Sequence, residues 1–157
     1  MMPRADKEDL YREILAQTKA LITGESDIIA NMATISALLY DRLDEVNWVG
    51  FYRLIDGELV LGPFQGKVAC IRIPLNRGVC GTSAATGSVQ RIADVHQFVG
   101  HIACDASSNA EIVIPIKIAG KVIAVLDIDS TDFDRFAAED ELGLLKIITL
   151  FEKNIAE

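Results

Sequence analysis

The stretch EIVIPIKIAGKVIAVLDID, residues 111–129, limits the fold more than any other part of the chain. Ala119-Gly120 divides two β-branched runs, Glu111 to Ile118 and Lys121 to Asp129, as the turn of a hairpin divides its strands. Both runs are apolar on both faces, with Val122, Ala124, Leu126 and Ile128 alternating against Ile123 and Val125. Strands of this kind need cover on each side, so helices are expected on both faces of the sheet.

The flanking segments fit that plan. NWVGFYRLI, Asp56-Gly57 and ELVLG form a second strand–turn–strand pattern. Cys70 to Pro74 is a short strand stopped by proline, NRGVCGTSAATG a glycine-rich turn feeding one or two helical turns, and SVQRIADV a further strand. Helical spacing runs from Lys7 to Ile22, with Leu10, Ile14, Leu15, Thr18 and Leu21 on one face and Gly24 as the stop. Ser26 is the expected cap of a second helix that buries Ile28, Met32, Ile35 and Leu39. Asp134 is the expected cap of a last helix that turns Leu142, Leu145, Ile148, Leu150 and Phe151 inward. The order gives an α/β chain of the α+β kind, with a largely antiparallel central sheet between helices. Its 157 residues suit one domain over 1–157, with helices at about 7–43, sheet and loops at about 47–129 and a final helix at about 137–155.

Charge narrows the partners. A net charge of -8 without Lys/Arg clusters argues against nucleic acid and against an anionic membrane surface. No apolar run approaches the roughly 20 residues of a bilayer span. The start MMPRADKEDLYREI lacks a signal-peptide core, so a cytoplasmic location is expected. Cys70, Cys80 and Cys104 are then thiols in a reducing compartment, odd in number and not a disulfide framework. Their plain role is as small buried hydrophobes. A zinc site of these three with His101 is disfavoured, because spacings of 10 and 24 residues contain no close cysteine pair. GVCGTSAATG lacks the Gly-Lys-Ser/Thr ending of a phosphate-binding loop.

Chemistry gathers at one end of the hairpin. Asp127 and Asp129 are two apart on one strand and leave the same face, as Ile123 and Val125 do further back. Two carboxylates on an inward face are costly unless they meet water, a cation or a ligand; the plain alternative is that they cap the turn into Ser130-Thr131. Counting back from Ala119-Gly120 brings Glu111 to the same end, and Cys104 lies on the polar 96–109 segment delivered there. Crowded carboxylates raise one another's pKa, which leaves one able to donate a proton. They also disfavour a thiolate, so Cys104 needs a helix N-terminus, His101 or a cationic substrate nearby. Trp48, the one tryptophan, is either core or the wall of a pocket for a thioether.

NWVGFY, GPFQGKVACIRIPLNRGVCGTSAATG, HIACDASSNAEIVIPI and VLDIDS together resemble the free methionine-(R)-sulfoxide reductases, single-domain proteins of the GAF fold. The likeness runs from about Leu15 to Phe151, and it departs at QFVGHIACD, where Val99 replaces the more usual proline. The resemblance implies Cys104 as nucleophile, Cys70 as resolving thiol and Cys80 as an auxiliary thiol. It implies Glu111, Asp127 and Asp129 as substrate-site acids and Trp48 as the pocket tryptophan; a sulfoxide oxygen, a poor leaving group until protonated, then suits a neutral Glu111 as proton donor. It further implies a homodimer, thioredoxin as reductant, and no metal or organic cofactor. Two other readings remain at this point: a GAF module that binds a small ligand such as a cyclic nucleotide, and a cysteine redox sensor.

Overall fold

A computed structural model describes residues 2–102 and 107–157. Along the chain run α1 (Arg4–Ile22), α2 (Ile28–Arg42), β1 (Val46–Ile55), β2 (Glu58–Gly66), β3 (Arg72–Pro74), α3 (Gly78–Thr86), β4 (Gln90–Ile92), a 3-10 turn (Val95–Gln97), β5 (Ala110–Ile118), β6 (Lys121–Ser130) and α4 (Ala138–Ala156). The six strands form one antiparallel sheet in the order β3-β2-β1-β6-β5-β4. Both expected hairpins are present, and their turn residues Asp56, Gly57, Ala119 and Gly120 all have positive φ, the backbone that two-residue hairpin turns require. No helix among the described residues is long and apolar enough to cross a membrane.

The sheet is covered on both faces. On one side Val49, Phe51, Ile112, Ile114, Leu126 and Ile128 pack with residues of α1, α2 and α4. On the other, Tyr52, Leu59, Val113 and Val125 pack beneath Val79, Cys80 and Ala84 of α3. Burying each large aliphatic side chain contributes about 1.5–3 kcal/mol, so both cores hold the central strands.

Several local expectations change. Buried positions of α1 are Lys7, Tyr11, Ile14, Thr18 and Ile22, while Leu21 is exposed. Those of α4 are Asp140, Gly143, Leu144, Ile147, Ile148 and Phe151, while Leu142 is exposed. The two helices cross where Gly143 has no side chain; a Cβ there would lie 2.2 Å from Tyr11 Cγ. That crossing, with the ion pair of Lys7 and Asp140 at 2.7 Å, sets the inward faces rather than the leucines.

The caps shift as well. Asp27, not Ser26, caps α2 by accepting from Ala30 N at 2.9 Å. At α4 the cap position is Ala137, whose N–H donates to Asp140 at 2.8 Å, and Asp134 sits in the preceding turn at φ 51. The strand expected over SVQRIADV shrinks to β4, and the one from Cys70 begins at Arg72. Ile123 does not share a face with Val125: the register slips between Ile116 and Lys117. This bulge sends Ile123 to the three-helix core and Val122 to the α3 side.

Candidate functional site

Strand alternation and register build the floor of the site. Trp48 on β1 pairs with Asp129 on β6, which pairs with Glu111 on β5. One step along, Gly50 pairs with Asp127, and Asp127 with Val113. With side chains alternating between faces, Trp48, Tyr52, Glu111, Asp127 and Asp129 all project to the α3 side. Together with Cys80 and His101 they line a pocket of about 520 Å³, counting the solvent at its mouth. The sequence-derived convergence of Glu111, Asp127 and Asp129 is therefore present, and Trp48 lies beside them. Cys104 lies outside the described residues.

The indole is seated by glycines. A Cβ at Gly50 would fall 2.6 Å from Trp48 Cη2, and one at Gly66, where φ is +135°, 2.5 Å from Cδ1. Phe64 stacks on the ring at 5.3 Å between centroids and Tyr52 at 5.9 Å. Nε1 donates to the Lys67 carbonyl at 3.0 Å. Held at 3% exposure, Trp48 is both core and pocket wall. The Tyr52 hydroxyl donates to the Cys70 carbonyl at 2.9 Å, which ties the Cys70 segment to β1. Tyr52 escaped the sequence reading, although its spacing from Trp48 and Gly50 in NWVGFY places all three on one strand face.

α3 lies over the acids with its start toward them. Arg77, Gly78, Val79 and Cys80 all line the pocket, and Arg77 at the cap position makes no side-chain cap hydrogen bond. Its first-turn N–H groups are thus available to an anionic group. Cys80 is a free, buried thiol whose Sγ lies 3.9 Å from Glu111 Oε2. Cys70 is disulfide-bonded.

Burial and like charge dominate the electrostatics. Glu111 is pushed well above the usual carboxylate range, first by burial and then by the charges of Asp127 and Asp129. Asp127 is also raised by burial, against hydrogen bonds from Glu111 and Cys80 that work to lower it. Asp127 Oδ1 is buried without a hydrogen-bond partner among the described residues. Burial and the same acids drive the Cys80 thiol well up, so it is a poor nucleophile. His101, 3.8 Å from Glu111 by its Nε2, is shifted down by burial and by His96. The downward shift favours the neutral imidazole.

The arrangement combines a neutral carboxylic acid, an orphaned carboxylate oxygen, an aromatic wall and a helix start around one cavity. It suits a small zwitterion whose ammonium meets the acids and whose carboxylate meets α3.

Comparison with known proteins points the same way. The GAF domain model, GAF_2, matches residues 5–149. The free methionine-R-sulfoxide reductase of Escherichia coli is 55% identical over 151 residues, 96% of this chain and 92% of that protein. Among solved structures, fRMsr of Staphylococcus aureus in complex with substrate superposes with a TM-score of 0.89 at 50% identity, covering 92% of this chain and 95% of that one. The free methionine-R-sulfoxide reductase of Neisseria meningitidis in complex with its substrate gives 0.92 at 41% identity, covering 96% and 90%.

Proposed function

Because the chain belongs to the GAF family, among the free methionine-R-sulfoxide reductases, we propose that it reduces free L-methionine-(R)-sulfoxide to L-methionine. The observation that carries this reading is Asp127, a buried carboxylate with an unsatisfied oxygen on the floor of a pocket walled by Trp48. A substrate ammonium satisfies that oxygen and gains Asp129 as a second charge-assisted partner. A peptide-bound sulfoxide has no such ammonium and would leave the acids unanswered, which confines the enzyme to the free amino acid. The substrate carboxylate takes the first-turn N–H groups of α3, and the methylthio end rests on Trp48.

In the reaction Cys104 attacks the sulfoxide sulfur while Glu111, neutral through burial, gives its proton to the oxygen. Methionine leaves and Cys104 carries the oxygen as a sulfenic acid. The Cys70 thiol then displaces water from that sulfur, forming a Cys70–Cys104 disulfide. Sulfoxide and two thiols thus become thioether, disulfide and water. A thioredoxin-type dithiol returns the two electrons by exchange. Cys70 is preferred to Cys80 as the resolving thiol because burial and three neighbouring acids hold Cys80 protonated. Neither a metal nor an organic cofactor takes part. The enzyme acts in the cytoplasm as a homodimer.

The test is NADPH consumption with thioredoxin and its reductase, offering the free R sulfoxide, the free S epimer and an N-acetylated R sulfoxide. Turnover of the free R form alone is expected. Silence on all three, with thiols reduced at the start, overturns the reading in favour of a ligand-binding GAF module.

A further inference from the structure

We propose that Cys80, Glu111 and Asp127 form a binding site for a borderline-soft divalent cation, with zinc the ion their donors suit best. One ligand atom from each residue lies within 4.8 Å of the other two, and all three residues are buried. Cys80 Sγ and Glu111 Oε2 are 3.9 Å apart; zinc bond lengths at a tetrahedral angle place such a sulfur–oxygen edge at about 3.6 Å. His101 Nε2 lies 3.8 Å from the other Glu111 oxygen, Oε1, at the edge of this cluster.

A second observation asks for a cation independently of this spacing. Asp127 is 6% exposed, lines the pocket, and keeps Oδ1 without a hydrogen-bond partner among the described residues. A buried carboxylate oxygen left so is costly, and a bound cation satisfies it. The donor set decides which cation. Calcium and magnesium take six or more oxygens, whereas a thiolate with two carboxylates, completed by water, suits zinc or its tetrahedral substitute cobalt. The site would also occupy Cys80, a thiol the proposed reduction does not use.

One consequence rests on the proposed function. The metal uses the Asp127 carboxylate assigned to the substrate ammonium and the Glu111 carboxyl assigned to proton donation, so metal and substrate exclude each other. Free zinc would then hold the enzyme idle.

The test is a cobalt(II) titration of a C70S/C104S variant, in which Cys80 is the only thiol. A thiolate-to-cobalt charge-transfer band in the near ultraviolet is expected to saturate at one ion per chain and to vanish when zinc is added. Asp127→Asn, made in the same background and checked for folding by circular dichroism, should weaken binding by at least about tenfold. Absence of the band, or a band indifferent to Asp127→Asn, overturns the proposal. Calorimetry of the unsubstituted reduced protein with zinc repeats the test without any mutation, and no binding there overturns it too. Free methionine, added as the product, should raise the apparent cobalt Kd. Cobalt binding that methionine leaves unchanged supports the metal site and instead removes the placement of the ammonium.

Discussion

Asp140 and Asp127 are both buried, at 1% and 6% exposure, in opposite surroundings. Asp140 accepts from Lys7 Nζ at 2.7 Å, Tyr11 Oη at 2.8 Å, Ala137 N at 2.8 Å and Arg135 Nη1 at 3.3 Å. Burial alone would raise its pKa, but the hydrogen bonds from Lys7, Ala137 and Tyr11, with the Arg135 charge, bring it below the usual carboxylate value. Asp127 makes no ion pair with a Lys or Arg among the described residues; it shares its burial with Glu111 and Cys80, and its pKa is raised. The first acid is complete within the fold and fastens α1 to α4. The second is incomplete until something enters the pocket. Burial does not distinguish a structural carboxylate from a functional one; the presence of internal partners does.

Substitutions should separate the two clusters. The largest expected effect is on activity: Glu111→Gln removes the ionisable proton and should lower kcat for the free R sulfoxide by about 10²–10⁴-fold, measured in the coupled assay, with folding intact. A variant retaining full kcat would break the assignment of Glu111 as acid. Next comes stability. Asp140→Ala leaves Lys7 buried without its carboxylate and should cost about 3–5 kcal/mol in denaturant unfolding. Asp127→Asn, by contrast, relieves a crowded charge and should leave the midpoint unchanged or higher. Equal losses for both would erase the contrast. Gly143→Ala, which drives a methyl into the Tyr11 ring, should cost about 1–3 kcal/mol by overpacking the same helix crossing.

The smallest effect is the pH dependence, and its sign differs between the clusters. Asp140 has a folded pKa below its unfolded one, so its contribution is present above the ordinary aspartate value near 3.9 and is lost as pH falls through the lower folded value. Glu111 has a folded pKa above its unfolded one, so its contribution is full below about 4.3 and is lost as pH rises toward the folded value. Glu111→Gln should therefore flatten the loss of stability on the neutral side. Asp140→Asn should flatten the loss on the acid side. Unfolding free energies measured at several pH values would show an exchange of these signs if the clusters were misassigned.

Parts of this were legible in the residues and parts were not. The two hairpins could be read because Asp56-Gly57 and Ala119-Gly120 are local turn signals, and the covered sheet because β6 is apolar at successive positions. The meeting of Glu111 with Asp129 also follows from the chain, since pairing counted from a tight turn is local geometry. Even so, the count passes a bulge at Ile123 that apolar patterning did not reveal, because a bulge is decided by which core accepts the side chain. The inward faces of α1 and α4 could not be read, since a distant glycine and an ion pair spanning 133 residues outweigh the leucines.

The sequence by itself therefore determined the strands, their turns and the face shared by Asp127 and Asp129, all of which depend on neighbours a few positions apart. Only the tertiary structure decided that α3 lies over those acids, that Cys80 comes within 3.9 Å of Glu111, and that Asp127 keeps an unanswered oxygen while Asp140 does not. The physical reason is that a buried charge takes its state from whatever the rest of the chain packs against it, and no local spacing encodes that environment.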